Sequence, residues 1–443
     1  MPPPCLDHNT APESTEAPPD LSDAVSGALR PTPLPTGRPH VASSSMNRDT
    51  RLVGIALLLW GFGEGLFFHI EPLYIAELGA TPVQIGSILA LANVVRGATY
   101  LPAGLLADRV PRKWFMVGGW VTGLVGVLLV AAARSWQTLI PGLLIYAISA
   151  YCMPVINTYL AHAVGGRRVA RAITLVFAGY AAGGVVSPAV GGWLAGVTSM
   201  RAVYVASAVC FAISTAIVVN SSPQPVPTRT AESPRWTALL NPRFLRFAGF
   251  ASLIFGAMYL AFPLAPNYLQ GVGGWNVARI GALGSFQALG NALLNPLLGH
   301  LADEDRPDAR RRGWLGRARA LIVGPGLVWA STLVLLLAGN VPLLILAFLL
   351  RGGYFACRSL VQAYATRLAR EADRGLLLGA TDTVIAVAQV VAPYLAGWLY
   401  AAQPAYPFLA ALGLIPLVLV VSVAAGGLMS RRGRVGEQVR SRT

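Results

Sequence analysis

The chain has 443 residues, of which 55% are hydrophobic and 12% charged, with a mean hydropathy of +0.58. So little polar surface cannot cover a soluble globule, and the apolar residues come in runs of about twenty, the length that crosses a bilayer as helix. The formal net charge of +15 does not point to nucleic acid, because the arginines sit in short gaps between apolar runs, where positive charge sets topology.

Residues 1–45 are rich in Pro, Ser, Thr and Ala and lack hydrophobic periodicity, so disorder is expected there. No basic segment followed by an apolar one supports a cleaved signal peptide, and Met46, just ahead of the first apolar run, is an alternative start. Cys5 lies in the tail, while Cys152, Cys210 and Cys357 fall inside apolar runs without metal-ligand spacing. Neither a disulfide framework, a metal centre nor a cofactor is expected.

Twelve apolar spans follow. The first six run near 52–76, 83–106, 114–133, 138–161, 172–195 and 202–220, and the second six near 246–269, 277–301, 319–338, 342–366, 376–401 and 405–429. This predicts an all-α polytopic membrane protein of two six-helix halves, 46–220 and 244–430, joined by a polar linker at 221–243 and ending in a basic tail at 431–443. Arg48, Arg51, Arg109, Arg112, Lys113, Arg167, Arg168, Arg171, the linker, Arg310–Arg312, Arg367–Arg374 and the tail from Arg431 all fall on one side of the alternating spans; the opposite loops hold Arg134, Arg201 and Arg279. Both termini are therefore expected in the cytoplasm, in an inner (plasma) membrane.

The halves repeat one another. Pro188-Ala-Val-Gly-Gly-Trp-Leu in the fifth span matches Pro393-Tyr-Leu-Ala-Gly-Trp-Leu in the eleventh at an offset of 205, Asp108 matches Asp303 at 195, and Tyr74 matches Tyr268 at 194. Duplicated halves predict a pseudo-symmetric bundle with a substrate site at their interface near the membrane midplane.

Between the second and third spans the sequence reads Gly104-Leu-Leu-Ala-Asp108-Arg109-Val-Pro111-Arg112-Lys113, with a reduced echo at Gly299-His-Leu-Ala-Asp303. A second motif, Gly183-Gly-Val-Val-Ser187-Pro188-Ala-Val-Gly191-Gly192, lies in the fifth span. Together with twelve spans in two halves, these resemble the major facilitator superfamily of secondary transporters, and the resemblance covers everything after Met46. It implies that Gly104, Asp108, Arg109, Arg112 and Asp303 are conformational residues, the loop acid holding one state of an alternating-access cycle. A carboxylate such as Asp108 at a helix N-terminus contributes roughly 0.3–1 kcal/mol, enough to bias such an equilibrium. The same charges also fit a plain helix end that obeys the positive-inside bias. Pro111 stands where the family usually has glycine. The fifth-span motif is similar to that of antiporters, although Ser187 replaces a family glycine and relaxed forms occur in importers. Gly183, Gly191 and Gly192 let a neighbouring helix approach, and Pro188 bends the span.

Trp60-Gly-Phe-Gly-Glu64-Gly65 places three glycines around an acid in the first span, each unfavourable to helix by about 1 kcal/mol against alanine. Something nearby needs the space. Glu64 lies roughly 18 Å deep at about 1.5 Å per residue, where a carboxyl can carry a proton unless a cation keeps it ionised. Arg96, at comparable depth in the antiparallel second span with Asn93 on its face, is such a cation. A Glu64–Arg96 pair facing the cavity is expected, either coupling protons or only locking two helices. Glu71, seven residues on, shares nearly the same face. His69 is expected to point elsewhere, rotated by about 140°.

In the second half, Gln287, Asn291 and Asn295 step by four along the eighth span and should line the cavity. Arg351 and Arg358 share a face of the tenth span. Arg358 has Asp382 of the eleventh as a partner, which leaves Arg351 to bind a carboxylate or other anionic group, or to snorkel at the boundary. Asn157 of the fourth span is a further wall candidate. Three acids face three bases, so charge alone selects no substrate. The chain is expected to be a monomeric, proton-coupled efflux transporter of small amphipathic molecules, with protons, substrate and lipid bilayer as its partners. A proton-linked importer of an organic acid or sugar and a non-transporting sensor on the same scaffold are the alternatives, and no enzyme signature is present.

Overall fold

The computed structural model describes residues 48–107, 110–164, 169–224, 236–302, 313–368 and 373–422. Asp108, Arg109 and Asp303 of the loop motifs lie outside these, as do the tail at 1–45, most of the linker and the basic C-terminal tail.

Among the described residues all regular structure is helical, and the helices from Arg48 onward belong to one compact unit. They form twelve spans. Eight are single helices: the second (Pro82–Ala107), third (Arg112–Ala132), fifth (Val169–Val197), sixth (Met200–Val219), eighth (Val277–Ala302), ninth (Gly313–Leu337), eleventh (Arg374–Ala402) and twelfth (Tyr406–Ser422). The other four are broken. The first consists of Arg48–Phe68 and Glu71–Glu77, the fourth of Trp136–Ile148 and Cys152–Val164 joined by a 3-10 turn, the seventh of Pro242–Tyr259 and Ala265–Gly271, and the tenth of Val341–Arg351 and Gly353–Leu368. Continuous helices were expected at all four.

The breaks follow from local sequence. Pro72 opens the second piece of the first span, and Pro266 that of the seventh; neither has the N–H that would bridge back across the gap. In the tenth span the break falls on Gly352, and Gly353 opens the second piece. First and seventh, fourth and tenth are the pairs the internal repeat relates, so the interruptions themselves are duplicated.

The outer surface suits lipid. Ile55, Leu253, Val387 and Val420 are exposed, and Trp193 and Trp398, repeat partners, both stand exposed near one membrane boundary, where indole rings concentrate. Seven helices are long and apolar enough to cross a bilayer, and two shorter apolar helices accompany them. The molecule is a multi-pass membrane protein.

One end of the bundle, the terminal end, carries Arg48, Ser222 and Ser422; the other, the far end, carries short turns with strong helix start and stop signals. Ser135 and Thr138 form a reciprocal capping box at the fourth span, Ser199 caps the sixth, and Asn340 the tenth. Gly79 (φ 91°) and Gly274 (φ 66°) occupy the left-handed region at matching turns, after the first and seventh spans.

Within the first half, Trp60 stacks on Phe211 at 3.9 Å between ring centroids and meets Trp120 edge-on at 5.4 Å. The Trp120 indole donates to Ser214, which donates to the Ala56 carbonyl, tying the first, third and sixth spans together. At the terminal end Asp49 accepts from Tyr159 and from the amide and hydroxyl of Ser222, so the start of the linker is fastened to the first and fourth spans.

The halves meet closely in two places, and the repeat relates them. A side chain at Gly192 of the fifth span would strike Gly281 and the Val277 carbonyl of the eighth; one at Gly281 would strike the Pro188 carbonyl. Correspondingly, a side chain at Gly397 of the eleventh span would strike the Pro82 carbonyl and crowd Val83 of the second, and one at Gly86 would strike the Pro393 carbonyl. Both contacts lie toward the far end, where the Asn267 side chain also donates to the Pro72 carbonyl across the halves. Among the described residues, then, the halves are pressed together at the far end.

Leucine at Gly192 or Gly86 should overpack this contact by about 1–3 kcal/mol and shift the population toward a state open at the far end. Spin labels at Glu77 and Gln270 should move apart in both variants and stay put in Gly249→Leu, where an added Cβ meets nothing within 4 Å. An unchanged distance in folded Gly192→Leu and Gly86→Leu protein would show that the glycines do not set closure.

Candidate functional site

Between the halves lies a cavity of about 290 Å³, near the lower limit of small-molecule sites. Its walls draw on the first, second and fifth spans on one side and the seventh, eighth, tenth and eleventh on the other. Three of the four broken spans contribute, as expected where interrupted helices line a polar space.

Glu64 sits on the first-half wall. Its carboxylate accepts a 2.6 Å hydrogen bond from the Tyr180 hydroxyl of the fifth span. The glycines around it make room for the fifth and sixth spans. A side chain at Gly61 would collide with the Tyr180 carbonyl, one at Gly65 with Ser187, and one at Gly63 with Phe211. The fifth-span motif answers in kind: side chains at Gly183 and Gly191 would strike the Leu58 and Leu66 carbonyls of the first span. Ser187, fully buried, thus fits where a family glycine would stand because Gly65 faces it.

Glu71 and Arg96 line the same wall, and Glu64 and Arg96 are both close enough for their charges to act on Glu71. Asn93, buried, donates to the Gln389 backbone carbonyl at 2.9 Å across the halves. His69 corrects an expectation. The helix stops at Phe68, periodicity is lost over two residues, and the ring turns into the cavity against Gly284 of the eighth span.

On the opposite wall Arg358 and Asp382 pair at 3.1 Å, and Gln362 also donates to Asp382 at 2.9 Å. Gln389 donates to the Tyr354 hydroxyl. Arg351 is 3% exposed; its Nη2 donates to the Ala261 carbonyl in the gap of the seventh span at 2.8 Å, and its guanidinium lies 3.9 Å from the centre of the Phe262 ring. Gln287 lines the cavity, whereas Asn291 and Asn295 do not: the eighth span there runs against Gly352 of the tenth, and the two amides lie within 3.5 Å of each other. Asn157 is exposed on the fourth span, outside the lining. Of the loop residues, Gly104 lies within the second span and Arg112, buried, opens the third behind Pro111.

Tyr180, Tyr259 and Gln389 line the cavity without having been singled out from sequence. A signal existed for two of them. Tyr180 stands one turn before Gly183, whose close approach fixes the face turned to Glu64, and Gln389 stands seven residues after Asp382 on the same face of its helix.

Twelve spans in two related halves around a polar cavity define a secondary transporter that moves a small molecule by alternating access. The family model of the Major Facilitator Superfamily matches residues 53–339 and 257–440, and the chain belongs to that family. It is 26% identical over 284 residues, 60% of this chain and 70% of the other, to a protein named multidrug resistance protein MdtG in Proteus mirabilis (strain HI4320). A protein of the same name in Yersinia enterocolitica (serotype O:8 / biotype 1B) is 26% identical over 283 residues, 60% of this chain and 68% of the other. Among solved structures it is similar to the nucleoside transporter NupG (TM-score 0.69, 14% identity, 86% of this chain and 99% of that one). It is also similar to a bacterial homologue of the human lysosomal transporter Spinster in an inward-facing, occupied conformation (TM-score 0.69, 16% identity, 86% and 96%). At these identities the structural likeness speaks for the fold.

Tyr180→Phe removes a hydrogen bond to a carboxylate and should lower stability by about 1–2 kcal/mol. The check is thermal unfolding of Tyr180→Phe, Glu64→Gln and the double variant. If the two side chains act on each other, the double variant is no less stable than the worse single one; additive losses would mean they do not.

Proposed function

We propose that the protein exports small amphipathic molecules across the inner membrane in exchange for protons, working as a monomer with both termini in the cytoplasm. The observation that carries this reading is the grouping of Glu64, Glu71 and Arg96 on one wall of a cavity whose other wall belongs to the second half. Rocking about the far-end contact changes which second-half groups stand opposite the acids. Proton affinity and substrate affinity then change with the same movement, which is what coupling requires. Asp108, Arg109, Arg112 and Asp303 are the residues proposed to bias that equilibrium from the terminal end.

Three further features support the reading. The relatives named for multidrug resistance favour outward movement of a foreign or waste molecule. Arg48, Arg51, Arg112 and Lys113 sit at the terminal end, against Arg134, Arg201 and Arg279 at the far end, which favours a cytoplasmic terminal end. The cavity is complete within a single chain.

In inside-out vesicles carrying the protein, an imposed proton gradient should drive accumulation of amphipathic dyes, and Glu64→Gln should reduce it at least about tenfold while substrate exchange without a gradient persists. Glu71→Gln should impair accumulation less. Accumulation confined to right-side-out vesicles would replace export by import, and gradient-driven uptake surviving in Glu64→Gln would move the coupling site elsewhere.

A further inference from the structure

Each of the three cavity acids has a donor or a cation at hand: Tyr180 for Glu64, the nearby Arg96 for Glu71, and Arg358 with Gln362 for Asp382. Arg96 and Arg358 are themselves engaged. Arg351 differs. Its described hydrogen bond goes to a neutral backbone carbonyl, and its Nε is buried with no hydrogen-bond partner among the described residues. Nor does the side chain reach for the membrane boundary, since it is 3% exposed and held between the Ala261 carbonyl and the face of Phe262. Phe348 lies 5.5 Å from the guanidinium, and Tyr354 packs on Phe262 at 4.9 Å.

From this geometry we infer that Arg351 binds the carboxylate of an aromatic weak acid, so that the molecules taken up by the cavity are small organic monoanions. A fixed planar guanidinium on the cavity wall, whose described hydrogen bond goes to a neutral carbonyl, offers charge-assisted donors that a carboxylate accepts. The aromatic side chains beside it supply a surface for a flat apolar body. A single charge suits the site, because the second charge of a phosphate monoester would lie in a cavity that already holds Glu64, Glu71 and Asp382. A cationic ligand would have to compete with donors that the acids already possess. The volume of about 290 Å³ suits a small ligand.

The inference rests on the transport reading for which molecule moves, but not for which molecule binds, and binding is therefore the test. Purified full-length protein in nanodiscs is titrated with 1-naphthoate, its amide 1-naphthamide, the cation 1-naphthylmethylammonium and 1-naphthyl phosphate. The expected result is that 1-naphthoate binds at least about tenfold more tightly than the amide and the cation. In Arg351→Gln it should fall to the level of the amide, whose own binding is unchanged. Arg351→Lys should keep part of the preference, since it retains charge without the planar fork. Failure of 1-naphthoate to bind, equal binding of acid and amide, tighter binding of the cation or phosphate, or a preference that survives Arg351→Gln would each overturn the assignment. An arginine that only clasps Ala261 gives lower thermal stability in Arg351→Gln with the acid-to-amide ratio intact. Should that variant fail to fold, the wild-type ratio and Arg351→Lys decide. Arg351-dependent acid binding without proton-driven export of 1-naphthoate would sink the export reading and leave this one standing.

Discussion

In a bilayer no hydrophobic force draws one helix to another, because lipid tails are as apolar as leucine. Two halves of a membrane protein therefore hold together where backbones can approach, and here that happens at Gly86 against Gly397 and at Gly281 against Gly192. Everything else in the molecule is arranged around these contacts. They place the halves in contact at the far end of the cavity, where His69 also lies against Gly284, and Asn93 meets Gln389 between them. Because each pair is the repeat image of the other, the closure is balanced across the interface and does not hinge on one side alone.

The cavity is chemically lopsided. Its first-half wall holds two carboxylates with Arg96 and Tyr180 around them, and the repeat positions in the second half carry Met258, Ala265 and Asn291 instead. The opposite wall holds a closed ion pair and an arginine fixed in the gap of a broken helix. Helix interruptions make this possible. A continuous seventh span would consume the Ala261 carbonyl in its own ladder and give Arg351 nothing to grip.

Much of this was legible in the sequence. Twelve runs of apolar residues, the Pro188 and Pro393 repeats and the glycines around Glu64 gave the spans, the symmetry and the tight packing of the first span on a neighbour, and the Arg358 to Asp382 pair followed from depth alone. What was not legible came from places where helix periodicity stops. His69 was misjudged because counting turns assumes an unbroken helix, while Pro72 ends one and starts another. Asn291 and Asn295 share a stripe with Gln287, yet a stripe states which side of a helix is polar and not what lies opposite, and Gly352 brings the tenth span there. Tyr180 carries no motif of its own; its role is set by a glycine three residues away.

The grip of Arg351 on Ala261 also bears on how the protein is made. The seventh span, interrupted after Tyr259, and the eighth, carrying Gln287, Asn291 and Asn295, are not among the seven helices apolar and long enough to cross a membrane alone. They leave the ribosome one after the other, and both Arg351, which donates to the carbonyl at Ala261, and Gly352, which packs against the backbone at Gly290, arrive only with the tenth span. Until the tenth span is made, the Ala261 carbonyl lacks the donor that it has in the folded chain. The gap in the seventh span is thus completed by a side chain that lies 90 residues further along the chain.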